Sequence, residues 1–258
     1  MKGTTSKSLL KVKKTVSIEK KRNQNATIKQ KEQAQGDSSL EGEYEEYIAD
    51  TNVLVHQASL LCESYCKSLK AESASFLEKD AFSVDSLVQL PTSKPRLEQK
   101  LQLGEAQFGL DLCHIRKPCK HAGKGGKKGC PSVLVLTSSA KRALELMREL
   151  PHYNQACRIH KLFAKHIKVE EQAQLLKKFH ICMAVGTPNR VQKLADEDAL
   201  DVSQLKLIVL DMRLDAKKRD LLTLSEVRDD FWSLYRTHFR EKVQGGGLKF
   251  AMAHLPGV

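Results

Sequence analysis

The sequence predicts an α/β protein: a parallel sheet with helices on both faces. From residue 133 onward, short apolar runs alternate with segments whose apolar residues recur every three or four positions. That alternation is typical of strands joined by helices. Three of the strand-like runs, at 133–136, 181–185 and 207–210, are apolar at every position, as in strands that are covered on both faces. We therefore predict a single domain of this class over 44–258, preceded by a tail at 1–43.

The predicted elements follow in chain order. A helix is predicted over 44–70, because one helical face carries Ile48, Val55, Ala58, Cys62, Tyr65 and Leu69. Pro91 and Pro95 limit 71–112 to short helices and loops. Strands are predicted at 133–136, 158–163, 181–185, 207–210 and 248–252, with a helix after each of the first four. Thr223 and Glu226 form a candidate capping box for the helix that follows the fourth strand.

The positive charge of the chain is concentrated near its amino end. The net charge is +12, and residues 1–36 carry ten Lys or Arg against two Glu. So polar an arm is predicted to be disordered, and its charge favours RNA or another polyanion as a partner. Basic clusters at 11–14 and 20–22 are candidate nuclear-import or RNA-contact sequences. No apolar run approaches the roughly 18–20 residues of a membrane helix, and the seven Cys residues follow no disulfide framework.

A basic loop is predicted at 113–132, and it suggests two kinds of site. One is a zinc site formed by Cys113, Cys119, His121 and Cys130. It is disfavoured, because structural zinc ligands usually come in pairs two to four residues apart and these do not. The other is an ATP-binding loop, which needs Gly-Lys followed by Ser or Thr between a strand and a helix. Neither Lys127 nor Lys128 is followed by Ser or Thr, so an ATP-binding loop is rejected. With both kinds of site set aside, no metal, cofactor or catalytic residue is predicted.

The stretch HICMAVGTPNRVQKL at 180–194 predicts a strand that ends in a tight turn and opens a helix. Pro188 suits a first helical position, where its missing N–H costs no intrahelical bond. A helix start has free backbone N–H groups and positive dipole character, so it can hold a phosphate. Arg190 is predicted to add a bidentate contact. Ligands of parallel sheets bind beyond the carboxyl ends of strands, which here are predicted at 137–139, 163–166, 186–190 and 211–213.

Motifs at these strand ends resemble the first RecA-like domain of DEAD-box RNA helicases. LTSSAKRALEL (136–146) is similar to that family's PTRELA segment, and VGTPNRV (185–191) is similar to its VGTPGRL. LKLIVLD (205–211) leads into the place of its VLDEAD. In that family the first two segments hold the RNA backbone. The resemblance therefore implies an RNA groove formed by Ser138, Ser139, Lys141, Arg142, Thr187, Pro188, Asn189 and Arg190.

Departures from the helicase pattern remove residues that ATP hydrolysis needs. After Asp211 the chain reads Met-Arg-Leu-Asp where the family has Glu-Ala-Asp, and Met212 cannot activate a water molecule. Neither an ATP loop nor a second RecA-like domain is expected in these 258 residues.

The whole combination, including KLFAKHIKV (161–169), resembles the helicase-like Cms-one ribosomal small subunit family of the 90S pre-ribosome. That resemblance implies a non-catalytic RNA-binding factor of ribosome biogenesis in the nucleus and nucleolus. Its implied partners are pre-rRNA and ribosome-assembly proteins. Association with a membrane is not expected. The alternative is a protein-interaction scaffold of the pre-ribosome in which the RNA groove is vestigial.

Overall fold

The computed structural model describes residues 50–69, 82–91, 94, 96–101, 127–151, 153, 159–165 and 167–255. All of them belong to one unit, Tyr47–Val258. The predicted disordered tail, the start of the 44–70 helix, most of 71–112 and 113–132, and three of the four zinc candidates lie outside the described residues. Among the described residues, no group of three or more His, Cys, Asp or Glu side chains is arranged so that it could hold a metal ion. No described helix is long and apolar enough to cross a membrane.

Six α-helices and five strands have both ends among the described residues, and residues 97–101 are also helical. The helices are α1 (Thr51–Ser68), α2 (Ala140–Arg148), α3 (Val169–Lys178), α4 (Pro188–Asp196), α5 (Ser225–Leu234) and α6 (Arg240–Gln244). A π-helical segment, Tyr235–Phe239, joins α5 to α6, and Val84–Ser86 forms a 3₁₀ turn. The strands are β1 (Val133–Leu136), β2 (His160–Leu162), β3 (Met183–Gly186), β4 (Leu207–Asp211) and β5 (Lys249–Ala253). Each predicted strand is therefore found, and no strand end differs from its prediction by more than two residues.

The five strands form one parallel sheet in the order β2-β3-β1-β4-β5. Val133 at the start of β1 lies opposite Met183 on one side and Leu207 on the other, so the three central strands are in step. Beyond β5, Leu87 makes a parallel bridge to Phe250. Because all strands run the same way, their last residues share one rim, the carboxyl edge, and their first residues share the opposite rim, the amino edge.

Helices cover both faces of the sheet, as predicted. Leu134 and Leu136 of β1 face a core that includes residues of α1, α3, α4 and α5. Val133 and Val135 face a second core, to which α2 and residues 97–101 contribute. Alternate residues of one strand are buried on opposite faces because successive side chains point to opposite sides of the pleat.

Two local predictions were wrong. Val55 was placed on the buried face of the first helix but is 52% exposed, because α1 packs through a stripe that includes Gln57, Leu61 and Ser64. Thr223 and Glu226 do not form a capping box, since α5 begins at Ser225 and has no side-chain cap. The Thr223 hydroxyl instead donates to the Asp220 carboxylate at 2.8 Å, so it stabilises the preceding turn.

Candidate functional site

The motifs singled out in the sequence meet at the carboxyl edge. The Thr137 N–H, just after β1, donates to the Gly186 carbonyl at the end of β3 at 2.9 Å. The Thr187 N–H donates to the Leu162 carbonyl at the end of β2 at 3.0 Å. These hydrogen bonds extend the sheet by one residue and place the start of α2 beside the start of α4. The predicted clustering of both motifs at one edge is confirmed.

The start of α4 has the features of an anion site. Thr187 is the N-cap and Pro188 the first helical residue, as predicted, but the Thr187 side chain makes no capping hydrogen bond. Thr187 is half-buried as a residue, and its hydroxyl has no partner among the described residues. The first-turn N–H groups of Asn189 and Arg190 have no acceptor within the helix. Asn189 is exposed, and its Nδ2 donates to Asp230 Oδ1 at 3.3 Å, which fixes α4 against α5.

Gly186 sets the close approach of β3 to β2 directly before this helix start. A Cβ atom at this position would lie 2.7 Å from Leu162 Cβ and 3.0 Å from Val191 Cγ2, and it would also clash with the Leu162 carbonyl. Both neighbours belong to the core. No side chain larger than hydrogen therefore fits without moving the backbone of β2.

Replacing Gly186 with Ala is therefore expected to lower the free energy of unfolding by about 1–3 kcal/mol, the usual cost of overpacking. Urea denaturation followed by circular dichroism measures it. Gly247→Ala is the matched control, because a Cβ at Gly247 would meet only Lys242 O at 3.7 Å. Equal stabilities of the two variants would contradict the steric explanation.

Arg190 does not extend a free fork toward a ligand, which corrects the sequence expectation. Its residue is 8% exposed, and one guanidinium nitrogen donates to the Ile167 carbonyl at 3.1 Å and to Gln172 Oε1 at 3.0 Å. Gln172 in turn donates to the Lys161 carbonyl at 2.9 Å. Arg190 therefore holds the connection between β2 and α3 against α4, so its role in the site is structural.

The start of α2 supplies the second half of the edge. The Ser139 hydroxyl caps this helix by accepting a hydrogen bond from the Arg142 N–H at 3.2 Å. Ser138 is half-exposed and Lys141 is exposed, and neither side chain has a partner among the described residues. Ser138 and Lys141 therefore lie at the carboxyl edge with polar groups that are free among the described residues.

Arg142 is the clearest departure from the sequence expectation. It was predicted to hold phosphate, but it is 7% exposed and pairs with Asp211 at the end of β4. Its Nε donates to Asp211 Oδ2 at 2.6 Å, and a second guanidinium nitrogen lies 3.3 Å from Oδ1. The same side chain reaches Glu145 at 3.2 Å and Glu149 at 3.4 Å. Arg142 is thus an internal counter-ion that ties α2 to β4.

His254, which the sequence did not single out, completes this group. It follows β5, and its Nδ1 lies 2.9 Å from Asp211 Oδ1. Its Nε2 lies 3.5 Å from Glu149 Oε2. We call Arg142, Glu149, Asp211 and His254 the strand-end ion cluster. Burial alone would raise the pKa of Asp211, but hydrogen bonds from His254 and Arg142 outweigh it and hold that pKa below its usual value.

The sheet and its polar carboxyl edge define a class of protein: an α/β domain with one five-stranded parallel sheet, whose strand-end motifs resemble those of DEAD-box proteins. Residues 111–246 match the CMS1 family, described as a U3-containing 90S pre-ribosomal complex subunit. The chain belongs to the CMS1 family.

Curated relatives and solved structures are also similar to the chain. Protein CMSS1 of Homo sapiens is 40% identical over 121 residues, which are 46% of this chain and 43% of that protein. Protein CMS1 of Chaetomium thermophilum is 36% identical over 119 residues, 45% of this chain and 47% of that protein. The chain spans less than half the length of the curated relatives it matches. The crystal structure of the yeast DEAD-box splicing factor Prp28 is 12% identical, with a TM-score of 0.41, over 67% of this chain and 37% of Prp28.

Proposed function

We propose that the chain is a non-catalytic RNA-binding factor in the biogenesis of the small ribosomal subunit. It works in the nucleus and nucleolus, on pre-rRNA and together with ribosome-assembly proteins. The description of its family as a 90S pre-ribosomal complex subunit supports this setting. The observation that supports RNA binding is the arrangement of the carboxyl edge. The uncapped start of α4 follows β3, and the free Ser138 hydroxyl and Lys141 ammonium groups follow the neighbouring β1.

Two groups of residues have different roles in the proposed groove. The Thr187 hydroxyl, the first-turn N–H groups of α4, Ser138, Lys141 and Asn189 contact RNA phosphates, because they are accessible and carry donors. Four further residues position these contacts without touching RNA. Ser139 caps α2, Pro188 is the first residue of α4, and Arg142 and Arg190 act through their buried hydrogen bonds. Contacts to phosphate fix the register of the strand and carry little sequence information.

The strand-end ion cluster supports the absence of ATPase activity. Magnesium nucleotide chemistry needs a carboxylate that is free to hold the ion and a group that orients water. Both oxygens of Asp211 already accept hydrogen bonds, from Arg142 and His254. The next residue, Met212, is buried and has no group that could orient water. Calorimetry with magnesium ATP is expected to show no binding.

Binding of a fluorescent single-stranded RNA of about 15 nucleotides tests the RNA groove. Lys141→Glu is expected to weaken binding about tenfold, because it removes a charge-assisted contact and adds repulsion. It should also reduce the slope of affinity against salt by about one. Thr187→Val, which keeps the shape of the side chain and removes its hydroxyl, is expected to weaken binding by a smaller factor. Anisotropy across a salt series measures all three effects.

Lys193→Glu is the matched control for the charge reversal. Lys193 is exposed on α4, the helix whose N-cap residue is Thr187, but lies at the opposite end of it. If Lys141→Glu and Thr187→Val bind like Lys193→Glu, the groove is not the RNA site. The scaffold alternative has one observation in its favour: two of the predicted phosphate ligands, Arg142 and Arg190, are committed to internal bonds. Co-purification of assembly proteins that survives nuclease treatment, without RNA binding, would favour that alternative.

A further inference from the structure

Two neighbouring apolar side chains lie exposed at the end of α3. Phe179 is 49% exposed and Leu175, one turn earlier, is 44% exposed. They are two of four large apolar side chains that are exposed among the described residues, and the other two, Val55 and Leu214, belong to other segments. Single exposed apolar residues are common, but an aromatic ring beside an aliphatic one on a single helix end indicates a contact surface.

This surface lies at the amino edge of the sheet, away from the proposed groove. The Phe179 carbonyl accepts a hydrogen bond from the Gly129 N–H at 3.0 Å, so Phe179 is fixed beside the chain that enters β1. Its ring also lies 6.2 Å from that of His160, the first residue of β2, at an angle of 44°. Backbone and ring contacts therefore hold Phe179 in place while leaving half of the side chain open.

Exposed lysines adjoin Phe179 at the end of α3 and beside Gly129. Lys128, Lys177 and Lys178 are exposed, and none has a partner among the described residues. Lys127, in contrast, pairs with Asp201 at 3.3 Å. The carboxylates Glu197 and Asp198 belong to the turn after α4, and Ala199, the next residue, packs against Gly129.

Charge continues along the chain that leads into this surface. Residues 116–128 contain six Lys or Arg and no Asp or Glu. The described part of this segment, Lys127 and Lys128, ends directly before Gly129, which is bonded to Phe179. A run of this composition favours a polyanion as partner.

We propose that Lys128, His160, Leu175, Lys177, Lys178 and Phe179, the amino-edge patch, form a second contact surface for single-stranded RNA. Phe179 stacks on a base and the lysines contact flanking phosphates, the combination used for single strands without strict sequence preference. An acidic protein segment would satisfy the lysines but would not need a flat, half-open ring. The proposal rests on the RNA-binding function proposed above, but it uses residues that the carboxyl-edge groove does not.

Substitutions of Phe179 in the full chain test the patch, with a labelled oligouridine of about 15 nucleotides as probe. Phe179→Ser is expected to weaken binding at least about fivefold, the lower end of the effect of removing a stacked aromatic side chain. Phe179→Trp should bind like the wild type, because a larger ring also stacks. Lys178→Gln should weaken binding by a smaller factor and reduce the salt slope. Val55→Ser is the control for removing an equally exposed apolar side chain elsewhere.

A photoreactive uridine in the probe should crosslink to Phe179 in the wild type. The inference is overturned if Phe179→Ser binds like Val55→Ser, if Phe179→Trp is as weak as Phe179→Ser, or if polyglutamate binds this surface in place of RNA. The two proposals fail separately. If only Lys141→Glu loses binding, the groove proposal stands and the patch proposal is wrong. If only Phe179→Ser loses binding, the patch proposal stands and the groove proposal is wrong. An absence of RNA binding by the wild-type chain removes both.

Discussion

Replacing Arg142 with Met is expected to lower the free energy of unfolding by about 3–5 kcal/mol, the usual cost of removing one partner from a buried ion pair. The Arg142 and Asp211 side chains are only 8% and 1% exposed. Removing the guanidinium leaves the buried Asp211 carboxylate with His254 beside it, while the half-buried Glu149 keeps Arg213 at 3.7 Å. Denaturation followed by the fluorescence of buried Trp232 measures the effect.

Two comparisons separate the buried pair from general loss of charge. Arg213→Met removes a cation that is 46% exposed and 3.7 Å from the same Glu149, and exposed pairs contribute only about 0–1 kcal/mol. The double variant Arg142→Met with Asp211→Leu removes both charges, so it should recover part of the lost stability. Equal destabilisation by Arg142→Met and Arg213→Met would show that the strand-end ion cluster does not have this role.

The cost of Arg142→Met also depends on pH in a defined direction. The pKa of Asp211 is lower in the folded protein than in the unfolded chain, so its stabilisation is present above the unfolded pKa of about 3.9. That stabilisation is lost as the pH falls through the folded pKa. Wild type and variant should therefore differ most near neutral pH and converge in acid. A difference that grows in acid would contradict the assignment.

Replacing Trp232 with Ala is the second change for which we expect a large effect, a loss of about 3–5 kcal/mol. Trp232 of α5 is fully buried, and its ring lies 4.6 Å from Phe231, 4.9 Å from Tyr65 and 5.4 Å from Phe82. These rings join α1 and α5 on one face of the sheet, so the cavity would open where three segments meet. Its Nε1 also donates to Ser64 Oγ at 2.9 Å.

Circular dichroism during urea denaturation measures this loss, since the variant has no tryptophan. Trp232→Phe retains a benzene ring and removes the pyrrole ring with its hydrogen bond to Ser64, so a smaller loss of about 1–2 kcal/mol is expected. Val55→Ala, at an exposed position of α1, should change stability by no more than about 0.5 kcal/mol. A loss for Trp232→Ala no larger than for Trp232→Phe would mean that the cluster repacks around the cavity.

These expectations separate the two edges of the sheet from its interior. Lys141, Thr187 and Phe179 are accessible, and changing them should alter RNA binding while leaving stability nearly unchanged. Arg142, Gly186 and Trp232 are buried, and changing them should alter stability first. RNA affinity of the buried variants is informative only at temperatures where the folded fraction stays high.

Much of the fold is visible in the sequence because its signals are local. Continuous apolar runs such as 133–136 and 207–210 predict buried parallel strands, and the stop at Gly186 followed by Thr187 and Pro188 predicts the start of α4. The same signals place both motifs at one edge, because parallel strands must end on the same side. A local signal failed where a nearby carboxylate competed for a side chain. The Thr223 hydroxyl donates to the Asp220 carboxylate and does not take part in the predicted capping box.

The sequence by itself determined the class of fold, the position of the carboxyl edge and the residue types along it. Only the tertiary structure decided which of its cations are free. Arg142 and Lys141 are adjacent on α2, but Arg142 points to a carboxylate 69 residues away at the end of β4, whereas Lys141 faces solvent. The physical reason is that a charge is buried only where a partner compensates its lost hydration. That partner is brought in by strand order, which no local pattern in the chain records.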